Sequence, residues 1–527
     1  MLSKVLILLC IFTCCYGAKI LFLTCTPAPS HQKPFQAIWR ELAIRGHEVH
    51  VLTPNPLRNS SLTNLHEYDL SEYYVIVSKF SQDAQKYVLS KPTFLSAFIK
   101  DVFATNIWSG LYNRTLNHPE VERLKSANKH FDLVIVEWLF PTLAAFGAYY
   151  QAPLIGITSL GAPTVALDTL GNPQHPLVAP DMNLPLKRDM SFKERLLASL
   201  YAVWVRAYYR FVVLPREDIN IKASLGKNMP FIGDIERNVS AILMNRNPVF
   251  HRALPLFPNI VELGGIQEEK VNPPLESDLK NFVEKSRNGV VYFSLGSSMK
   301  STLLDDTVVS KLQRVFAELP YGFVWKWEGD SMPGKPKNVF ISKWIPQVTL
   351  LEHPNVRLFI TQGGLQSIEE AISAHKPIIG IPFHSDQTTN VDTCVSYGMG
   401  KMLDLDELTE ENLSSSILDI MNNYSSYAEQ AKRLDDLMKD QPQDGLDKAI
   451  WWIEYIIRHK GAKHLRSMAA DLPWYQYLML DIYACLVGIA LLVILIVYLI
   501  FKASLKAVKW VYGKLFVKAK DEKRKSD

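Results

Sequence analysis

The sequence predicts an α/β protein of two doubly wound halves, followed by one helix apolar enough to span a bilayer. Three observations carry that reading. Short apolar strands alternate with amphipathic helices twice along the chain, the pattern of parallel sheets covered on both faces. The alternation breaks once, where residues 267–288 turn polar and contain Pro273-Pro274. Residues 482–501 are twenty residues without a charge, a length that crosses about 30 Å of hydrocarbon.

Residues 1–17 open with Lys4, an apolar run to Tyr16 and then Gly17-Ala18, the organisation of a signal peptide. The first half, 18–266, begins with strand 19–24 (KILFLT), helix 32–45 ended by Gly46, and strand 47–52 (HEVHVL). Strand 131–137 (FDLVIVE), helix 142–150 and strand 154–158 (LIGIT) continue it. Residues 159–240 are less patterned; 191–218 read as an amphipathic, aromatic-rich helix, expected to face the core rather than a membrane surface. After the 267–288 linker, the second half, 289–470, resumes with strand 289–295 (GVVYFSL) and helix 305–319. Strands 322–327 and 338–342, helix 347–352, strand 356–361, helix 364–375, strand 377–381 and helix 387–397 follow. A helical region around 425–462 ends the body and is placed to fold back across the cleft between the halves. Trp474, Tyr475 and Tyr477 then form an aromatic belt before span 482–501, and Lys502 opens a basic tail, 502–527.

Charge agrees with this order. The 527 residues allow two or three domains, at roughly 100–200 residues each. The net charge is +4. From Lys502 onward nine Lys/Arg face three Asp/Glu, so removing that +6 and Lys4 leaves −3 for the body. The positive charge is a topology signal, and nucleic acid is not an expected partner. A translocated N-terminus and a cytosolic tail give a single-pass type I protein in the bilayer, with Lys523 and Lys525 in the dilysine register that addresses the endoplasmic reticulum. Of six cysteines, Cys10, Cys14 and Cys15 leave with the signal and Cys485 lies in the span, so Cys25 and Cys394 alone remain in the body. That excludes a disulfide framework and a cysteine zinc site. Sequons start at Asn59, Asn113, Asn238, Asn412 and Asn423, all on the lumenal side. Nothing in the sequence reports oligomeric state; a homo-oligomer is open.

The chemistry concentrates in the second half. Phe359-Ile360-Thr361-Gln362-Gly363-Gly364-Leu365-Gln366-Ser367-Ile368-Glu369-Glu370 is a strand running through a Gly-Gly turn into a helix, whose N-terminus suits a diphosphate. The strand at Pro377–Ile381 leads to Asp386-Gln387, a carboxylate and an amide able to hold sugar hydroxyls, and Trp344 and Gln347 stand at an earlier strand end. Ligands of open α/β sheets collect outside the carboxyl ends of strands, where all three segments converge. In the first half His31 follows the first strand beside a helix N-terminus, where the dipole favours a neutral imidazole able to act as a base. Glu137, at the carboxyl end of its strand, is a better orienting acid than Asp132 at the start. His47-Glu48-Val49-His50 is one residue short of H-E-x-x-H, and Asp404-Leu405-Asp406 precedes Thr409 where capping acids belong, so no metal site is expected.

Residues 340–390 resemble the signature of the UDP-glycosyltransferases, membrane-bound enzymes that conjugate small lipophilic molecules; the spacing from Phe359 to Gln387 fits throughout, including Glu370, Pro377, Pro382 and Asp386-Gln387. The signal segment, the Asp471–Tyr477 run (DLPWYQY) and the lysine tail fit as well, and the wording looks most similar to insect members. The resemblance implies a GT-B fold of two facing Rossmann-like domains, the acceptor site in the first half and the UDP-sugar site in the second. It implies Trp344 stacked on uracil, Gln347 and Glu370 on the uridine end, and Gly296 and Ser297 near the nucleotide or its phosphates. The turn Gln362-Gly363-Gly364 with Gln366 and Ser367 lies at the diphosphate, and Asp386 and Gln387 hold the sugar. His31 matches the catalytic position, with attack opposite UDP inverting the anomeric centre. Three residues depart from the pattern: Glu137 where Asp is usual, Gln362 where His is usual, and Gln366 where Asn is common, the last keeping an amide donor. UDP-sugar is a co-substrate, so no cofactor is implied. The expected activity is metal-independent transfer of a hexose, by insect resemblance glucose, to a hydroxyl of a small lipophilic acceptor, as in detoxification. A non-catalytic or regulatory UDP-sugar-binding membrane protein is the competing class.

Overall fold

The computed structural model describes residues 17–77, 94–127, 129–184, 186, 189–266, 272–297, 299–383 and 385–524. Most of the expected signal peptide and Lys525 of the dilysine pattern lie outside them. The chain divides into two units, one ending at Ser467 and one beginning at Met468.

The first unit holds two wholly parallel sheets. In the first, β1 (Lys19–Leu23), β2 (Glu48–Thr53), β3 (Leu65–Asp69), β4 (Leu133–Glu137), β5 (Leu154–Thr158), β6 (Ala241–Met244) and β7 (Ile260–Glu262) run in the order β3-β2-β1-β4-β5-β6-β7. In the second, β8 (Val290–Ser294), β9 (Gly322–Lys326), β10 (Val339–Ser342), β11 (Val356–Thr361), β12 (Ile378–Gly380) and β13 (Gly400–Met402) run in the order β10-β9-β8-β11-β12-β13. The order reverses between β1 and β4 in one sheet and between β8 and β11 in the other. Those switch points open the crevices in which such sheets bind ligands.

The strands form because their side chains are apolar on both faces. In β1, Leu21 and Leu23 enter one core layer while Ile20 and Phe22 enter the other. Each such side chain contributes roughly 1.5–3 kcal/mol when fully buried, and among the described residues the cysteines form no bridge. Cys25 and Cys394 are free and lie in different cores.

Three expectations need correction. Helix Gly445–Arg458 falls within the 289–470 domain read from the sequence, yet Ala449, Ile450, Ile453 and Ile456 pack with Ile20, Phe22, Ile38 and Trp39 of the first half. Its apolar stripe matches the face that helix Pro29–Ile44 and β1 leave to be covered. The preceding helix Tyr424–Lys439 stays with the second half through Ala431 and Leu434. Segment 191–218 is core-facing on one side only. Helix Phe192–Tyr208 buries Ala198 and Tyr201 but exposes Phe192, Leu196, Leu200 and Val203, and it continues through a π-helical turn, Tyr209–Val213, into Leu214–Leu225. The apolar segment 482–501 does not end its helix at Lys502: one helix spans Leu480–Arg524. Phe192–Leu225 and Leu480–Val517, whose 18-residue apolar windows have mean hydropathies of 1.2 and 3.2, are both long and apolar enough to cross a membrane.

Candidate active site

A cleft of about 900 Å³ lies where the carboxyl ends of the two sheets face each other. Loops after β1, β4, β5, β8 and β11 line it, the segments that flank both switch points.

His31 stands in the cleft wall. Pro29, with its fixed φ and missing N–H, starts the helix, so His31 lies inside the first turn of Pro29–Ile44 and not before it. Withdrawal from water pushes its imidazole down to about 4, which keeps it neutral. This burial, rather than the helix dipole, is the dominant cause. Its Nδ1 lies 2.6 Å from Ser159 Oγ, just past the end of β5. The pairing with Glu137 is not formed. Glu137 is wholly buried, is absent from the cleft wall, and accepts hydrogen bonds through Oε2 from the Cys25 and Thr26 amides at 3.2 and 3.0 Å. Burial pushes this carboxyl up to about 7 against the bonds from Thr26 and Cys25. The residue fastens the β1 loop that carries His31 and does not touch the imidazole. The side chain that the structure places on His31 Nδ1 is that of Ser159.

The opposite wall collects the other predicted residues. Trp344 exposes 61% of its surface into the cleft, an unusual display for an indole and one that leaves a ring face open to stacking. Gln347 starts the short helix Gln347–Glu352, accepts from Tyr292 Oη at 3.1 Å, and donates to Glu370 Oε2 at 2.6 Å and Ser367 Oγ at 3.0 Å. Gly363 takes φ +89°, where a Cβ would run into Val391, and Gly364 caps helix Leu365–Ser373, whose first amides open toward the cleft. Gln362 also faces the cleft, with Nε2 so near Gly296 that a Cβ there would sit 2.7 Å away; Gly296 itself has φ +71°. Ser297 reaches across to Ser30 Oγ at 3.4 Å.

Asp386 lines the cleft, and burial raises its carboxyl to about 6 against the bond from Asn390 Nδ2 at 2.7 Å. Gln387 is buried, and its Oε1 accepts from the Phe383 amide at 2.8 Å. Gln366 donates to the Ser159 carbonyl at 2.8 Å, so one residue of the first half bonds both His31 and the donor-side helix.

Sequence reasoning missed Ser159, Lys33 and Lys326. Lys33 sits 3.8 Å from Glu370 across the cleft, and Lys326 donates to the Gly296 carbonyl at 2.7 Å and lies 3.3 Å from Glu328. Only their position at strand or helix ends could have pointed to them. Among the sequons, Asn59, Asn113, Asn238 and Asn423 are exposed. Asn412 is half-buried and committed to a capping box with Thr409.

The family described as UDP-glucoronosyl and UDP-glucosyl transferase matches residues 18–520. UDP-glycosyltransferase UGT5 of Dactylopius coccus is 33% identical over 494 residues, covering 91% of this chain and 90% of that protein. UDP-glucuronosyltransferase 1-2 of Rattus norvegicus is 30% identical over 510 residues, covering 94% and 93%. The solved structure of Os79 from O. sativa in complex with UDP matches with a TM-score of 0.53 at 17% identity, over 83% of this chain and all of the other. Two parallel sheets facing across a cleft and a match along nearly the whole length lead to one conclusion: the chain belongs to the UDP-glucoronosyl and UDP-glucosyl transferase family and is a UDP-glycosyltransferase of the GT-B fold.

Proposed function

We propose that the protein transfers glucose from UDP-glucose to a hydroxyl of a small lipophilic acceptor, with inversion, in the lumen of the endoplasmic reticulum. The observation that carries this is the cleft's asymmetry: a neutral His31 stands between an apolar chamber and a polar donor wall. The chamber is walled by Phe103, Ile107, Trp108, Phe140 and Val213, which favours an apolar acceptor.

In the proposed reaction His31 holds its proton on Nδ1, donated to Ser159 Oγ, and Nε2 takes the acceptor's hydroxyl proton. The freed oxygen forms a bond to the anomeric carbon as that carbon's bond to the diphosphate oxygen breaks. The negative charge passes to the diphosphate, met by the amides at the start of helix Leu365–Ser373 and by Gln362. Trp344 would stack on uracil, and Glu370, once released from Lys33, would accept from the ribose hydroxyls. Asp386 and Gln387 would face the sugar. A uronate carboxylate would meet Asp386 there, while Lys326 is already held by Glu328 and the Gly296 carbonyl, so a neutral hexose fits better.

Placement in the endoplasmic reticulum as a type I protein rests on the signal-like N-terminus, the apolar stretch Leu480–Val517 and the basic tail. Microsomes carrying the protein, given UDP-glucose or UDP-glucuronic acid with a panel of phenols, should yield β-glucosides. Preferential glucuronide formation would overturn the sugar assignment, and retention of configuration the mechanism. Protease digestion of intact microsomes should remove only the tail.

A further inference from the structure

A second cluster of reactive side chains lies at the amino ends of β2 and β3, on the rim of the first sheet opposite the cleft. The His47-Glu48-Val49-His50 run fails as a helical metal motif, but on a strand the period of two puts Glu48 and His50 on one face. The parallel register then sets His66 of β3 directly beside His50. His50 Nε2 lies 2.8 Å and His66 Nε2 3.8 Å from Glu48 Oε1, and the ligand atoms of all three fall within 4.8 Å of one another. A tetrahedral metal about 2.0–2.1 Å from each ligand sets its ligand atoms roughly 3.4 Å apart, a spacing these distances bracket. The rings of His50 and His66 stack with centroids 4.5 Å apart, and His50 is packed edge-on against Phe131. Tyr68 Oη lies 3.1 Å from His50 Nδ1, placed as the outer partner that fixes a ligating imidazole.

We propose that Glu48, His50 and His66 form a zinc site, with a water in the fourth position, that ties the edge strand β3 to β2. Two neutral imidazoles and a carboxylate suit zinc better than calcium or magnesium.

Two cations share the neighbourhood. Lys19 Nζ, 2.9 Å from Glu48 Oε1, is partly exposed and swings outward when the metal takes that oxygen. Lys129 Nζ is on the Nδ1 side of His50, at 3.3 Å, and keeps Tyr68 Oη at 3.2 Å. Zinc on Nε2 requires the tautomer with its proton on Nδ1, donated to Tyr68. The site is remote from His31, so transfer does not depend on it.

The test is Co²⁺ titration of the chelator-stripped, full-length protein in detergent, followed by displacement with Zn²⁺. One equivalent should bind with the visible bands of tetrahedral coordination by nitrogen and oxygen, and Zn²⁺ should raise the unfolding temperature. His66→Asn, at an exposed position, and Glu48→Gln should each weaken binding at least about tenfold and abolish the Zn²⁺-dependent rise, while transfer activity matches wild type. Absence of the bands in wild type, a cysteine-thiolate charge-transfer band, or unchanged affinity in both variants overturns the proposal.

Discussion

His31, the proposed base, sits in an unusual setting for that role. An exposed imidazole titrates near 6.5, and this one is held at about 4, so it stays unprotonated through mildly acidic solution. Protonation would remove the proposed base, so activity is expected to fall as pH drops through the folded-state value. At saturating donor, kcat should hold from neutrality to about pH 5; an acid limb near 6.5 would contradict the buried setting. His31→Ala should lower kcat about 10²–10⁴-fold and leave UDP affinity, measured calorimetrically, intact. Glu137 gives the contrasting expectation. Glu137→Gln keeps an acceptor for the Cys25 and Thr26 amides, so kcat/KM should stay within a few-fold of wild type; a loss comparable to His31→Ala would restore it as the orienting acid. The sequence placed Glu137 correctly at the end of its strand, because strand ends follow from apolar runs. Its side-chain direction depends on amides of the neighbouring loop, which no local pattern encodes. Ser159 was invisible for a related reason: a serine after a strand looks the same whether or not a histidine from elsewhere reaches it.

The nine strands read from the sequence are all present, since each is a short apolar run between turn residues. Those that were not read are short or polar. β7 has three residues, β13 three, β6 four, and β3 (LHEYD) is an edge strand with only Tyr68 fully buried. Helix Gly445–Arg458 shows a different limit: its return toward the first half was legible, but the face that receives it, β1 and helix Pro29–Ile44, was not, because apolar faces do not name their partners. Ile453, fully buried between that helix and the first half, tests the docking. Ile453→Ala should cost about 2–5 kcal/mol in urea unfolding, whereas a helix resting on the surface would lose a fraction of that. The Gly-Gly turn is the element where backbone and chemistry coincide. Gly363→Ala places a Cβ at φ +89° and against Val391, a strain of about 1–3 kcal/mol. UDP should bind several-fold or more weakly while the first half's stability is unchanged.

At the scale of the molecule, buried titratable groups set the pH dependence of stability. Burial raises Glu137 and Asp101 to about 7, Glu236 to about 8 and Asp386 to about 6. An unfolded carboxyl titrates near 4. Between those values the folded state holds more protons than the unfolded one, so stability falls as pH rises from roughly 4.5 to 8. His31 and His50, at about 4, and His251, at about 3, act in the opposite sense. Unfolding lets them take up protons below about 6.5, so stability falls again as pH drops from there toward 4. From 6.5 to about 7.5 the raised carboxyls dominate the slope, until Lys376, lowered to about 8 by burial, opposes them; below 4.5 the histidines and Glu48, lowered to about 2, act together. The two sets bound a maximum between about pH 4.5 and 6.5, well below the sequence pI of about 8.5. Thermal unfolding across pH 4–7 should place the highest midpoint inside that window, and a midpoint still rising at pH 7 would mean that the four carboxyls are ionised in the folded protein.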